Sequence, residues 1–288
     1  MSGESVGPRA GNDFRLWCVG GRAALKRGEG WVDLAEFTGN AELEDVNTAL
    51  AHIDLIRGAW RECKGRTDLP FVFGKLSACV PRPRQVFAIG LNYPQHAAEA
   101  GLPAPAAPMV FTKFPSCITG PGETVALSGA KVDWEVELVV VIGSGGRNIP
   151  ASEAWEAVAA LTVGQDISDR ALQMQDIPPQ FSLGKSFAGY GPLAPVAVGL
   201  GAFEDVNDVQ LWCSVDGETR QSGRSSELFF PVPAIIEHLS AVCELLPGDL
   251  IFTGTPAGVG AATGQYIAPG SVLLSGADVV GEFEVQFA

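Results

Sequence analysis

The sequence is short of charge, and shorter still of positive charge. Only 18% of its 288 residues are charged, and 19 lysines and arginines stand against 33 acidic residues, a formal net charge of −14. A field of that sign repels polyphosphate backbones and anionic lipid, so neither broad nucleic-acid binding nor attachment to an acidic membrane surface is expected. A small anionic ligand remains compatible, because a metal ion or a buried lysine can reverse the potential locally. Long apolar runs are also missing. The run 138–142 is among the longest, against the roughly 20 residues that span a bilayer. The opening MSGESVGPRAGNDF lacks the apolar core of a secretory leader. No CxxC pair occurs, and Cys18, Cys63, Cys79, Cys117, Cys213 and Cys243 are widely scattered. That spacing fits reduced, buried thiols rather than a disulfide framework. Together these absences predict a cytoplasmic protein with no nucleic-acid and no membrane partner. Wholesale disorder is excluded as well, since 47% of the residues are hydrophobic.

What the sequence does have is glycine and proline, 35 and 20 residues, which places many turns between short elements without a collagen or linker pattern. The length suits one large domain or two unequal ones. Residues 1 to about 12 read as a loose tail. The stretch 14–34 reads as short strands broken at Gly20-Gly21 and Gly28-Glu29-Gly30, and Leu43, Val46, Leu50, Ile53 and Ile56 mark a helix over 42–57. Pro70, Pro81 and Pro83 crowd the stretch 63–84, and a boundary is placed there, between a small N-terminal α+β unit at 1–79 and a larger unit at 80–288. Beyond it, 86–89 reads as a buried strand, 95–100 as one or two helical turns, and 132–142 as the clearest strand. Trp155, Val158 and Leu161 predict a helix over 153–162. A hairpin is expected about Asp216-Gly217, then a helix over 233–243 with proline near its start, then strands at 250–253, 272–275 and 279–287. Many strands, few short helices and no steady βαβ alternation predict an α+β fold built on sheets.

The segment Asp133-Trp134-Glu135-Val136-Glu137-Leu138 carries the first chemical signal. Alternate residues of a strand share a face, so Glu135 and Glu137 point one way and Trp134, Val136, Leu138 and Val140 the other. Val139 and Val141 carry the glutamate face on into apolar surroundings. Two carboxylates there repel each other and are costly to bury unpaired. A divalent cation removes both penalties, and an all-oxygen donor set favours magnesium, manganese or calcium over zinc. A solvated strand end is the plainer alternative. Asp166 and Asp169 could each supply a third ligand, and spacing does not choose between them.

Of the three histidines, His52 and His238 fall in helices where packing or surface roles suffice. His96 follows the break Gly90-Leu91-Asn92-Tyr93-Pro94 and precedes Glu99 by one helical turn, so Glu99 can orient it and raise its basicity. Gly254-Thr255-Pro256 resembles a phosphate loop only superficially, because no Gly-Lys-Ser/Thr follows. Its glycines can still bring backbone N–H groups close to an anion.

Five blocks now stand in order: Ile89-Gly90-Leu91-Asn92-Tyr93 with His96 and Glu99; Asp133 to Leu138 with Val141-Ile142-Gly143; Asp166-Ile167-Ser168-Asp169-Arg170 with Gln173; Gly184-Lys185-Ser186-Phe187 with Gly191-Pro192; and Gly254-Thr255-Pro256-Ala257-Gly258-Val259-Gly260. Over residues 80–288 this series resembles the fumarylacetoacetate hydrolase family and its acylpyruvate hydrolase-like members. The resemblance implies a mixed β-roll or distorted β-sandwich catalytic domain, a small N-terminal domain and a homodimer. It implies Glu135, Glu137 and Asp166 as ligands of Mg²⁺ or Mn²⁺, and His96 with Glu99 as a general-base pair on a mobile lid helix. Lys185 would stabilise an enolate or oxyanion beside the metal, with Lys113 a further lysine near the site. Thr255 would help hold a substrate carboxylate, and Tyr93 and Gln173 would touch substrate. Leu91 stands where many members carry arginine, which predicts the loss of one carboxylate-binding contact.

The expected function is metal-dependent hydrolysis of a C–C bond in a small anionic 1,3-diketone acid. The alternatives are a decarboxylase or tautomerase of a 2-oxo acid, a biosynthetic enzyme for a bulkier polyketone, and a noncatalytic small-molecule-binding protein that keeps the fold.

Overall fold

The structure is a computed structural model that describes residues 12–28, 30–63, 66 and 74–288. Residues 1–11 of the expected N-terminal tail, and residues 64–65 and 67–73 of the segment 63–84 in which the domain boundary is expected, lie outside the described residues. The strands, in chain order, are β1 (Arg15–Val19), β2 (Arg22–Arg27), β3 (Gly30–Asp33), β4 (Val86–Gly90), β5 (Met109–Thr112), β6 (Thr124–Val125), β7 (Val136–Ile142), β8 (Val158–Gln165), β9 (Val196–Gly199), β10 (Gln210–Val215), β11 (Glu218–Arg224), β12 (Leu250–Phe252), β13 (Val272–Ala277) and β14 (Gly281–Phe287). Shorter two-residue strands complete the set.

A nine-stranded mixed sheet runs β3-β2-β1-β9-β8-β7-β12-β4-β5, and a five-stranded sheet runs β11-β10-β13-β14-β6. This is an α+β fold of the mixed-sheet kind expected. Strand β7 lies near the middle of the large sheet, and its alternation sorts its side chains between two cores. Val136, Leu138, Val140 and Ile142 face the second sheet and the helix Val232–Ser240, with Leu211, Leu273 and Ile236. Val139 and Val141 face the other way, toward Leu43, Leu50 and Ile56 from the N-terminal helices. Sequence alternation gave that division correctly. β1 pairs antiparallel with β9, Leu16 opposite Ala197, so residues 15–33 extend the same large sheet.

The hairpin forms about Asp216-Gly217, both at positive φ (52° and 81°), as a two-residue turn with matching right-handed twist requires. The expected 42–57 helix divides into Val46–Ala51 and Ile53–Cys63, with His52 at the break. One expectation is corrected. Residues 153–162 do not form one helix: a 3₁₀ turn ends at Glu153, only Ala154–Ala157 is α-helical, and β8 begins at Val158. β8 is buried on both faces, so its apolar residues are continuous, and a short continuous run carries no periodicity that separates strand from helix. Among the described residues no helix is long and apolar enough to cross a membrane.

Candidate active site and metal centre

Three carboxylates meet at one end of the β7–β8 pair. Glu137 lies one residue inside β7, opposite Gly164 of β8. Glu135 stands in the break between the short strand Val132–Asp133 and β7, and its carbonyl accepts the Asp166 N–H at 2.9 Å. Asp166 directly follows β8. Glu135, Glu137 and Asp166 are all buried, and each offers an oxygen within 4.8 Å of the others. Asp169, the rival third ligand, is engaged elsewhere: it accepts from Ser128 Oγ at 2.5 Å and caps the helix Arg170–Gln173 through the Leu172 N–H at 3.0 Å.

Buried lysines and an arginine surround the trio. Lys185 Nζ donates to Glu135 Oε2 at 2.7 Å and to Asp166 Oδ2 at 2.6 Å. Lys113 Nζ donates to Asp166 Oδ1 at 2.7 Å and also to the carbonyls of Lys185 and Tyr190. Arg170 Nη2 reaches Glu135 Oε1 at 2.7 Å. Burial opposes ionisation of Glu135, but Lys185 and Arg170 outweigh it and hold its carboxyl well below the usual range. Burial likewise opposes charge on Lys185, and Asp166 and Glu135 outweigh it, so its ammonium is held above its ordinary value.

Glu137 is the exception. Its Oε2 accepts the Gly254 N–H at 2.6 Å, and no cationic side chain hydrogen-bonds it among the described residues. Burial, with Asp166 and Glu135 close by, pushes its carboxyl well above the usual range. That imbalance is the test of metal fit. Glu135, Glu137, Asp166 and the adjoining Asp133 outnumber Lys113, Lys185 and Arg170. The carboxylate without a cation partner lies within reach of the other two. Three hard oxygens that close can be shared by one divalent cation. The donor set therefore fits a divalent cation.

His96 and Glu99 lie on the helix Pro94–Glu99. Glu99 Oε1 is 3.1 Å from His96 Nδ1, and its carboxylate also accepts the N–H groups of Gly258 at 3.0 Å and Val259 at 3.4 Å. Burial raises the Glu99 pKa, but His96 and these amides outweigh it and hold the carboxyl below its ordinary value. An ionised carboxylate only accepts, so the proton of a neutral His96 ring sits on Nδ1 and Nε2 keeps its lone pair. The same carboxylate fastens the helix to the loop 254–260. That loop needs glycine: Gly254 and Gly258 both have φ of +105°, and a side chain at Gly258 would strike the Arg220 carbonyl.

A cavity of about 640 Å³ opens on this arrangement, lined by His96, Glu99, Glu135, Glu137 and Lys185 among others. Gln173 and Thr255 also line it. Gln173 is tied to Arg170 Nη1 at 3.0 Å. Thr255 donates its hydroxyl proton to the Val136 carbonyl at 2.9 Å and accepts from Gln221 at 2.8 Å, so donation to a substrate would require that bond to be given up. Lys113 and Tyr93 are fully buried and do not line the cavity. The Tyr93 hydroxyl has no hydrogen-bond partner among the described residues, and burial beside Glu137 pushes its pKa up.

Two residues at the site carried no assigned role in the sequence. Asp133 is fully buried and accepts from the N–H groups of Trp134 (2.8 Å), Gly260 (2.7 Å) and Ala261 (3.0 Å) and from Arg170 Nε (2.8 Å). Arg170 in turn bridges Asp133 and Glu135. Asp133 thus ties the loop that receives Glu99 to the cation that holds Glu135. An unexplained buried acid beside Glu135 was the available signal, but its partners lie far along the chain.

Fold and site together define a mixed-sheet α+β protein with a buried acidic centre suited to a divalent cation. The family pattern described as fumarylacetoacetate (FAA) hydrolase C-terminal matches residues 85–288, and the chain belongs to that family. A provisionally named HpcE protein from Mycobacterium smegmatis is 46% identical, with a TM-score of 0.88 over 95% of this chain and 99% of that one. A provisionally named 2-hydroxyhepta-2,4-diene-1,7-dioate isomerase from Mycobacterium abscessus is 26% identical, with a TM-score of 0.81 over 96% of this chain and 98% of that one. A mitochondrial oxaloacetate tautomerase of Homo sapiens is 40% identical over 209 residues, 72% of this chain and 65% of the tautomerase, so the chain spans just under two thirds of that relative.

Proposed function

We propose that the protein is a divalent-cation-dependent enzyme that moves a proton on a small 2-oxo acid, as a keto–enol tautomerase or double-bond isomerase. The observation that carries this reading is the buried trio Glu135, Glu137 and Asp166 opening on the same cavity as the His96–Glu99 pair. The names of two relatives, a tautomerase and an isomerase, favour it over the C–C hydrolysis first expected.

Glu135, Glu137 and Asp166 would hold Mg²⁺ or Mn²⁺, which would supply positive charge that acidifies the carbon beside an oxo group. His96 accepts the proton at Nε2 and returns it to another atom of the substrate, while Glu99 stabilises the charged ring. Lys185 keeps its ammonium beside the negative charge that develops. Glu99, bonded to the Gly258 and Val259 amides, would hold the His96 helix in place beside the cavity. Gln173, which lines the cavity, would touch substrate, with Arg170 holding its side-chain oxygen.

Hydrolysis of an acylpyruvate-like acid is the second reading, favoured by the same oriented base, which would act on water instead of carbon. The test is to incubate the protein with Mg²⁺ or Mn²⁺ and enolic oxaloacetate or acylpyruvates, following enol absorbance and products by NMR. Tautomerase action predicts loss of enol and deuterium uptake from D₂O with the carbon skeleton intact. Release of pyruvate with a second acid establishes hydrolysis, and loss of CO₂ establishes decarboxylation. No turnover on the whole panel, with metal bound, leaves a binding protein and overturns the proposal.

A further inference from the structure

Apart from Lys131, the cationic side chains of the cavity lining are all engaged by carboxylates. Arg170 and Lys185 are both committed to carboxylates, and His96 is committed to Glu99. Directly beside these groups the lining turns apolar. Lys185 Nζ lies 5.0 Å from the ring centre of Phe111, and Phe111 meets Phe181 edge to face with ring centres 5.5 Å apart. Both rings line the cavity, and so do Leu91, Leu102 and Met174. Leu102 and Met174 are 49% and 60% exposed although they line a cavity. Large apolar side chains left in water at a pocket mouth mark surface that a ligand covers. The volume of about 640 Å³ also falls in the range of larger ligands, far more than a four-carbon oxo acid fills.

We propose that the substrate is a 2-oxo acid with an extended apolar tail, which lies along the Phe111–Phe181 wall and is covered at the mouth by Leu102 and Met174. This rests on the oxo-acid reading above and adds the chemistry of the far end of the substrate. The rival far end is a second carboxylate. Lys131 also lines the cavity, is exposed, and has no ion-pair partner among the described residues, so it is the group that would receive one.

N-alkyl oxamates test the tail without turnover, since they carry the oxo-acid head and do not react. Their binding to the Mg²⁺- or Mn²⁺-loaded protein is measured by calorimetry, from methyl to hexyl, beside oxamates of equal length that end in a carboxylate. Affinity is expected to rise about two- to fourfold per methylene. The carboxylate-ended compounds should bind more weakly than their alkyl counterparts. Leu102→Ser combined with Met174→Ser should flatten the rise. A flat series in which methyl oxamate still binds overturns the tail and leaves the oxo-acid reading standing. Tighter binding of the carboxylate-ended compounds, lost in Lys131→Ala, also overturns the tail. If no oxamate of any length binds the metal-loaded protein, the oxo-acid reading falls and the tail with it.

Discussion

Glu137 and Glu99 are both partly or wholly buried carboxylates, yet their surroundings push them in opposite directions. Glu137 has an amide donor and acidic neighbours, so without metal its charge is a burden. Replacing it with glutamine keeps an acceptor for the Gly254 N–H and removes the burden. Glu137→Gln is therefore expected to leave metal-free stability at pH 7 equal or higher, by urea unfolding in chelator, while weakening Mn²⁺ binding by at least about 100-fold in a calorimetric titration. A large loss of metal-free stability would show that Glu137 has a structural role instead. Glu99 has a histidine and two amides, which hold its pKa down despite burial. A depressed carboxylate contributes stability that is complete above its unfolded value, about 4.3, and is lost as pH falls through the lower folded value. The stability gap between the native chain and Glu99→Gln should thus be widest near neutrality and close below about pH 4, read by urea unfolding at a series of pH values. The same variant should lower kcat about 100-fold through loss of the His96 orientation, with Mn²⁺ affinity unchanged. These carboxylates could be read in the sequence because each forms a local pattern, alternation on a strand for Glu137 and a one-turn spacing for Glu99. Lys113 could not be placed that way: only the fold shows that it is a buried counter-charge to Asp166, shut off from the cavity.

At the scale of elements, the site depends on how β7, β8 and the loop 254–260 are fastened together. β7 was legible because Glu135 and Glu137 alternate with Trp134, Val136 and Leu138 at its start and β-branched residues fill the rest, so one set of residues meets the second sheet and the other meets the N-terminal helices. β8 was not, because Trp155, Val158 and Leu161 mimic a helical stripe where only Ala154–Ala157 is helical. The consequence reaches the site, since Asp166 is aimed by the end of a strand rather than by a helix cap. Asp133 fastens the end of the loop to Arg170, with four hydrogen-bonding groups converging on one carboxylate from Trp134, Gly260, Ala261 and Arg170. Asp133→Asn keeps the volume but turns an N–H₂ toward at least one of those donors. It is expected to cost about 1–3 kcal/mol of stability for the donors left unpaired. It should also lower kcat more than it weakens metal binding, because the Glu99 latch and Arg170 lose their common support while all three candidate ligands remain. Urea unfolding and a Mn²⁺ titration beside steady-state kinetics check the two halves, and a variant weakened in metal affinity alone would refute the fastening role.

Across the whole molecule, the large sheet joins what the sequence divides. The expected boundary between 1–79 and 80–288 rests on prolines, and prolines report where regular structure stops, not where a core ends. β1 hydrogen-bonds to β9 in register over Arg15, Leu16 and Trp17. Leu16, Leu25, Leu50 and Ile56 share one buried cluster with Val139, Val141, Leu250 and Phe252. Those last four residues lie on β7 and β12, the strands that carry Glu137 and lead into the loop of Gly254. Removing the first 79 residues would therefore expose the edge of β9 and one face of the strands that hold the site. The two units are proposed to fold as one. The full chain should unfold in a single transition that near- and far-ultraviolet circular dichroism report together. The fragment 80–288 should keep much of its far-ultraviolet signal, lose the near-ultraviolet signal of fixed aromatic packing, and bind Mn²⁺ poorly. A fragment with native near-ultraviolet dichroism and undiminished metal affinity would instead make the N-terminal unit a separable domain, and the helices under Val139 and Val141 would be dispensable to the centre they cover.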